Sequence, residues 1–157
     1  MTPAFRLTPL PLAPFAKLFG LDDAALAPHY ARRVTADESP GFPCRVSLKE
    51  AEVGETLLLL PFAHHDVASP YAGFGPIYVR ENAQPARLKA GEIPGVVRSR
   101  LLSVRGYDTA GMMLYGDVVE GRRVEDTITR QFADPQVAYI HLHNAKRGCY
   151  SCRVERL

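Results

Sequence analysis

The residues best suited to chemistry gather near the C-terminus. The stretch "VAYIHLHNAKRGCYSCRVERL", residues 137–157, contains His141, His143, Cys149 and Cys152, out of five histidines and three cysteines in the chain. Imidazoles titrate near neutrality and suit proton transfer, and imidazole and thiolate together are zinc ligands. Strand alternation places Tyr139, His141 and His143 on one face and Ala138, Ile140 and Leu142 on the other. With 144–148 as a loop, His143 lies opposite Cys149, His141 opposite Ser151 and Tyr139 opposite Arg153, while Tyr150, Cys152 and Val154 join the apolar face. Cys149 and Cys152, an odd separation apart, then point to opposite faces, Cys152 into the core and Cys149 beside the histidines.

That geometry argues against a redox pair. A thioredoxin-like C-x-x-C sits at a helix N-terminus, and the few residues after Cys152 leave no room for one. A zinc knuckle built from Cys44, Cys149, Cys152 and a histidine would break the alternation. The metal set consistent with the strand is His141, His143 and Cys149, on Cα atoms about 6.5–7 Å apart for the two histidines. A hydrogen-bonded polar cluster is the structural alternative.

A second group is "HHD", His64, His65 and Asp66, opening the aperiodic stretch "AHHDVASPYAGFG". Asp66 could orient a neighbouring histidine as a base, or simply cap the loop backbone. Asn144 and Ser151 are candidate polar anchors beside the histidines, and Arg80 is a candidate anion ligand on a strand. Arg98 and Arg100 share that chemistry, although such arginines commonly pair with carboxylates. The chain has no phosphate-binding glycine fingerprint, no G-x-S-x-G elbow and no H-E-x-x-H.

These residues need strands to position them. "TLLLLPF" reads as a strand covered on both faces and "PIYVRE" as a second. "RSRLLSVRGY" and "MMLYGDVVE" flank "DTAG", a hairpin turn with Asp first and Gly last. In "VEDTITRQF" the spacing of Val124, Ile128 and Phe132 predicts a helix, ended by Asp134-Pro135. "VAYIHLH" and "CYSCRVE" form the last hairpin. Towards the N-terminus, "FRLTPL" is a short strand candidate and "PFAKLFG" a helical stub; Asp22 to Pro43 is irregular apart from a strand candidate at "YARRVTA", and Pro43 then opens a short helix, "CRVSLKEA", that stops before Gly54. Strands dominate without strand–helix alternation, so the expected fold is α+β: a single domain over 1–157, mainly antiparallel sheet with a few short helices and a C-terminal β-hairpin.

The bulk numbers narrow the function classes. A net charge of +2, with basic residues scattered, does not mark a nucleic-acid or membrane partner. No stretch approaches the roughly 20 apolar residues of a membrane span, and the N-terminus lacks the pattern of a secretory signal. An odd number of cysteines excludes complete disulfide pairing within the chain, and a reduced, cytoplasmic protein is the expectation.

The pieces "SPGFPCR", "SPYAGFGPIYVRE" and "HNAKRGCYSCRV" resemble a bacterial family of small proteins known as domain of unknown function family 1203. The resemblance runs from about Phe5 to the end. It implies a stand-alone single-domain protein and carries no activity, so no catalytic role transfers with it.

The leading expectation is a protein that binds or acts on a small molecule. Its pocket joins the 64–76 loop to the polar face of the last hairpin, with His141, His143 and Cys149 as reactive groups. Asn144, Tyr139, Ser151, His64, His65, Asp66 and Arg80 are then binding residues. No cofactor is required. The alternatives are a zinc protein using His141, His143 and Cys149, and a non-catalytic protein–protein module, monomeric or homodimeric.

Overall fold

Apolar runs and turns cut the chain into short elements. The computed structural model describes residues 3–157, so the first two residues of the expected 1–157 domain lie outside it. The N-terminal part comprises β1 (Phe5–Thr8), α1 (Ala13–Ala16), α2 (Asp23–Leu26), β2 (Arg32–Thr35), β3 (Thr56–His65) and β4 (Gly73–Arg80). Then come α3 (Gly95–Arg98), β5 (Leu101–Tyr107), β6 (Met113–Glu120), α4 (Val124–Phe132), β7 (Tyr139–Asn144) and β8 (Tyr150–Arg156). The strands form two antiparallel sheets, a five-stranded one in the order β1-β8-β7-β5-β6 and a three-stranded one in the order β2-β3-β4. The class is the expected α+β, with β7 and β8 as the C-terminal hairpin.

In the larger sheet one face is apolar. Leu102 and Val104 of β5, Ile140 and Leu142 of β7, and Cys152 and Val154 of β8 pack with Val124, Ile128 and Phe132 of α4. The helical spacing thus buries one stripe of α4, and each such side chain contributes roughly 1.5–3 kcal/mol on leaving water. Glu125 and Asp126 sit in its first turn, where the helix dipole favours negative charge. Gly106 of β5 leaves room for α4, since a Cβ there would lie 2.6 Å from Oε1 of Gln131 on that helix. "TLLLLPF" is the middle strand of the smaller sheet, as its unbroken apolar character predicts. Leu58 and Leu60 face Phe15, Leu18 and Leu26 of the N-terminal segment, and Leu57 packs on the opposite side with Ala36 and Ala51.

Several local expectations change. The short helix expected in "CRVSLKEA" is a tight turn: Cys44 donates its N–H to the Lys49 carbonyl, and Leu48 enters the left-handed region at φ 50°, so no helix can propagate. The nominally irregular stretch after Asp22 contains α2, whose first turn is capped by the Asp22 carboxylate accepting from the Ala25 N–H at 2.8 Å. β3 runs on through both histidines and β4 begins at Gly73, so the long loop shrinks to residues 66–72. Arg98 belongs to α3 rather than to the following strand. The "DTAG" turn forms as read, with Asp108 Oδ1 accepting from the N–H groups of Ala110 and Met112.

Because Phe132 fills the interface between α4 and the larger sheet, Phe132→Ala is expected to cost about 3–5 kcal/mol in urea unfolding. Val118→Ser, at an exposed position on β6, is expected to change stability by no more than about 0.5 kcal/mol. Equal midpoints for the two variants would show that this packing does not hold the fold.

Candidate functional site

The other face of the larger sheet is lined with rings. Tyr107 of β5 pairs with Tyr139 of β7, Arg105 with His141, and Ser103 with His143, so these side chains share a face. His64 and His65, at the end of β3, reach across onto that face. The centroid of the His65 ring lies 4.2 Å from that of Tyr107 and 5.0 Å from that of His141, and His64 stacks on Tyr150 at 5.4 Å.

Three irregularities in the ladders aim these groups. Between Phe62 and His65 the β3 strand carries an extra residue relative to β4, which brings two consecutive histidines against the larger sheet. A second extra residue lies on β8, between the pairs Leu142↔Cys152 and His143↔Tyr150. A third lies on β6 opposite Gly106 and Tyr107. The 66–72 turn is tied to the β5–β6 hairpin by Ser69 Oγ donating to the Gly111 carbonyl at 2.8 Å.

The bulge on β8 corrects the expected register. Arg153, not Ser151, lies opposite His141, and Glu155 lies opposite Tyr139. Tyr150 sits on the histidine face instead of the apolar one, because the added residue reverses its side relative to Cys152. Cys152 is in the core as expected, with burial pushing its thiol up to about 12. Ser151 is buried as the extra residue.

Cys149 is not brought to the histidines. It precedes β8 in the turn and lines a separate cavity together with Asn144. Gly148, at φ 78°, makes that turn, and its N–H donates to the Asn144 carbonyl at 2.7 Å. Arg80 is engaged elsewhere, its Nε and Nη2 donating to the Glu55 carboxylate at 2.7 and 3.0 Å. Arg98 and Arg100 likewise pair with Glu125 and Glu50. Asp66 is exposed and does not orient a histidine. That role falls to the Tyr71 carbonyl, which accepts from His65 Nδ1 at 2.8 Å and leaves Nε2 facing the Tyr139 hydroxyl at 2.6 Å.

The structure therefore assembles His64, His65, His141, His143 and Tyr139 from among the expected residues. It adds Tyr107, Tyr71 and Arg105, which no sequence motif marks, and Tyr150, which strand alternation assigns to the apolar face. The alternation in "SVRGY" would have grouped Arg105 with Tyr107, but the pairing of β5 with β7 was needed to see what they face.

His141 and His143 are each 1% exposed and enclosed by other rings. Burial and the neighbouring imidazoles hold His141 down to about 2, and burial holds His143 down to about 4. His64 is lowered in the same direction, by burial first and then by His65 and Arg105. His143 Nδ1 donates to the Gly148 carbonyl at 2.9 Å, which leaves its Nε2 as a lone pair. Three ring nitrogens, His64 Nδ1, His141 Nδ1 and His143 Nε2, are buried with no hydrogen-bond partner among the described residues. One ligating nitrogen from each of these three histidines lies within 4.8 Å of the other two.

Residues 41–156 match the family model described as protein of unknown function, DUF1203. The chain belongs to this family. The match begins after the N-terminal strands and helices, and it covers the whole ring cluster from His64 to Arg153. Membership in DUF1203 carries no assigned activity. No curated protein and no solved structure matches the chain. No helix among the described residues is long and apolar enough to cross a membrane.

The buried histidines give a signed pH dependence. Unfolded, they take up protons near pH 6.5; folded, His143 does so only near 4 and His141 near 2. The stability they contribute is present above pH 6.5 and is lost as pH falls. In chelator-treated protein, each histidine should remove about 1.4 kcal/mol per pH unit between pH 6 and 5. Urea midpoints at pH 8, 6 and 5 measure this, and a flat profile over that range would mean the rings titrate freely in the fold.

Proposed function

We propose that this chain is a metal-binding protein in which His64, His141 and His143 hold one divalent transition-metal ion, with zinc the first choice. The observation that carries this reading is the set of three converging histidines, each with a buried and unpartnered ring nitrogen. A buried polar atom without a partner costs about 1–3 kcal/mol, so three together call for a shared occupant. A single cation accepts all three.

Imidazole is a preferred ligand of zinc at about 2.0–2.1 Å, which sets ligand nitrogens roughly 3.3 Å apart in a tetrahedron. The present separations lie within 4.8 Å, so binding requires the three ligand nitrogens to draw closer together. Neutral imidazole is the ligating form, and burial keeps His141 and His143 neutral at physiological pH. The Gly148 carbonyl orients His143 as outer carbonyls commonly orient metal-bound histidines.

Three protein ligands leave a fourth position for water or substrate, and a zinc-bound water ionises near pH 7. The surroundings favour an anion there. Arg105 acts on His64 and His143, and its Nε donates to Ser103 Oγ, a neutral partner. Arg153 is balanced by Glu155 at 2.5 Å. A dication beside the Arg105 charge would be best completed by hydroxide or by an anionic ligand. The three thiols are unpaired, which supports the reduced, cytoplasmic setting expected from the cysteine count.

Protein purified without an affinity tag should bind one equivalent of zinc in competition with a chromogenic chelator. His64→Gln, at the least buried of the three ligands, should weaken binding by about 10–100-fold, and Cys149→Ser should leave it unchanged. Substoichiometric zinc, or affinity indifferent to His64→Gln, would remove the proposal.

A further inference from the structure

Arg45 is a buried arginine without a carboxylate. Its residue surface is 4% exposed, its Nε donates to the Tyr150 carbonyl at 2.7 Å, and its Nη1 donates to the Pro43 carbonyl. No ion pair among the described residues includes it. The ionisable groups acting on it are Arg100 and the thiols of Cys149, Cys44 and Cys152, and desolvation works against its charge. A guanidinium withdrawn from water without a counter-charge is a costly arrangement unless an anion completes it.

This side chain lines a cavity of about 440 Å³, distinct from the ring cluster and within the size range of metabolite sites. Arg100, Lys146 and Arg147 also line it, against a single acidic lining residue, Glu38. Arg100 is already neutralised by Glu50, so the charge that remains open belongs to Arg45 and the two exposed cations. Asn144 reaches the same cavity and has a buried Oδ1 without a hydrogen-bond partner among the described residues. The Phe42 and Tyr78 rings, 5.1 Å apart, give one wall an apolar surface.

We infer that this cavity binds a small organic anion, with a carboxylate or phosphate group seated on the Arg45 guanidinium and the body of the molecule against Phe42 and Tyr78. Two guanidinium nitrogens, Nε and Nη1, donate to main-chain carbonyls, so the group is held in place before the ligand arrives. Lys146 and Arg147, at the mouth, attract the anion and contribute less to holding it. This reading does not depend on the histidine centre, since no ligand of that centre lines the cavity.

Cys149 offers a direct probe. It is the half-exposed thiol of the cavity, while Cys44 and Cys152 are buried, so alkylation by iodoacetamide followed by mass spectrometry reports on this site. Inorganic phosphate or acetate should slow that alkylation saturably relative to chloride at equal ionic strength. Protection by phosphate alone assigns a phosphate ligand, and protection by acetate assigns a carboxylate. Arg45→Gln should raise the half-protecting concentration about tenfold or more, as expected for loss of a charged hydrogen-bonding group. Lys146→Gln with Arg147→Gln, at exposed positions that do not threaten folding, should raise it by a smaller factor.

Thermal melts with the same anions provide a second readout if the thiol reacts slowly. A rise in melting temperature that the Arg45 variant loses supports the site. Neither protection nor a melting shift beyond that of chloride would overturn the inference. So would protection that is unchanged in both the Arg45 variant and the rim double variant.

Discussion

β7 is buried on both sides, and only one of those sides is apolar. That asymmetry governs the rest of the structure. On the apolar side Ile140 and Leu142 need only volume and contact, which α4 supplies. On the other side Tyr139, His141 and His143 carry ring nitrogens and a hydroxyl that cannot be left in a dry interior without partners. The fold meets part of that demand from outside the strand, with Tyr139 set against His65 and the Gly148 carbonyl against His143. What remains unmet is concentrated at one place, where His64, His141 and His143 converge.

Covering this face requires departures from regular strand geometry. In an unbroken ladder, successive residues point to opposite faces, and β3 could not present His64 and His65 to the same sheet. Nor could β8 place Tyr150 beside the histidines while keeping Cys152 among the aliphatic side chains. One extra residue in each strand resolves both conflicts. Local ladder pairing is sacrificed at the positions where the ring cluster is assembled, which makes the bulges part of the site.

This explains which parts of the sequence were legible. Periodicity identified α4 and the hairpins, because Val124, Ile128 and Phe132, or Ile140 and Leu142, sort themselves by burial alone. It also sent Cys152 to the core. Alternation failed at Tyr150 and Cys149, because a bulge leaves no mark in the pattern of a single strand and shows only against its partner. The run "CRVSLKEA" reads as a helix because composition does not reveal that Cys44 bonds back to Lys49. The histidine pair 64–65 stands out in the sequence, but its role depends on the end of β3 meeting the larger sheet, a contact between segments far apart in the chain. Arg45 gave no signal at all, since burial of an arginine is set by its surroundings.

Tyr150 joins the histidine cluster to the cavity that Arg45 lines. Its carbonyl accepts from Arg45 on the cavity side, while its ring stacks on His64 and meets His141 and His143 edge-on. The turn from Asn144 to Cys149 links them a second time, with Gly148 holding His143 and Asn144 and Cys149 lining the cavity. Through the Tyr150 carbonyl, the Arg45 guanidinium is tied to the main chain of the residue that packs against three of the histidines. Drawing His64 and His143 together would move the ring of Tyr150 and with it the carbonyl that fixes Arg45. The two regions share no side-chain ligand, and this residue and this turn connect them. The bulge that turns Tyr150 onto the histidine face therefore also fixes the position of the carbonyl that holds Arg45 at the cavity wall.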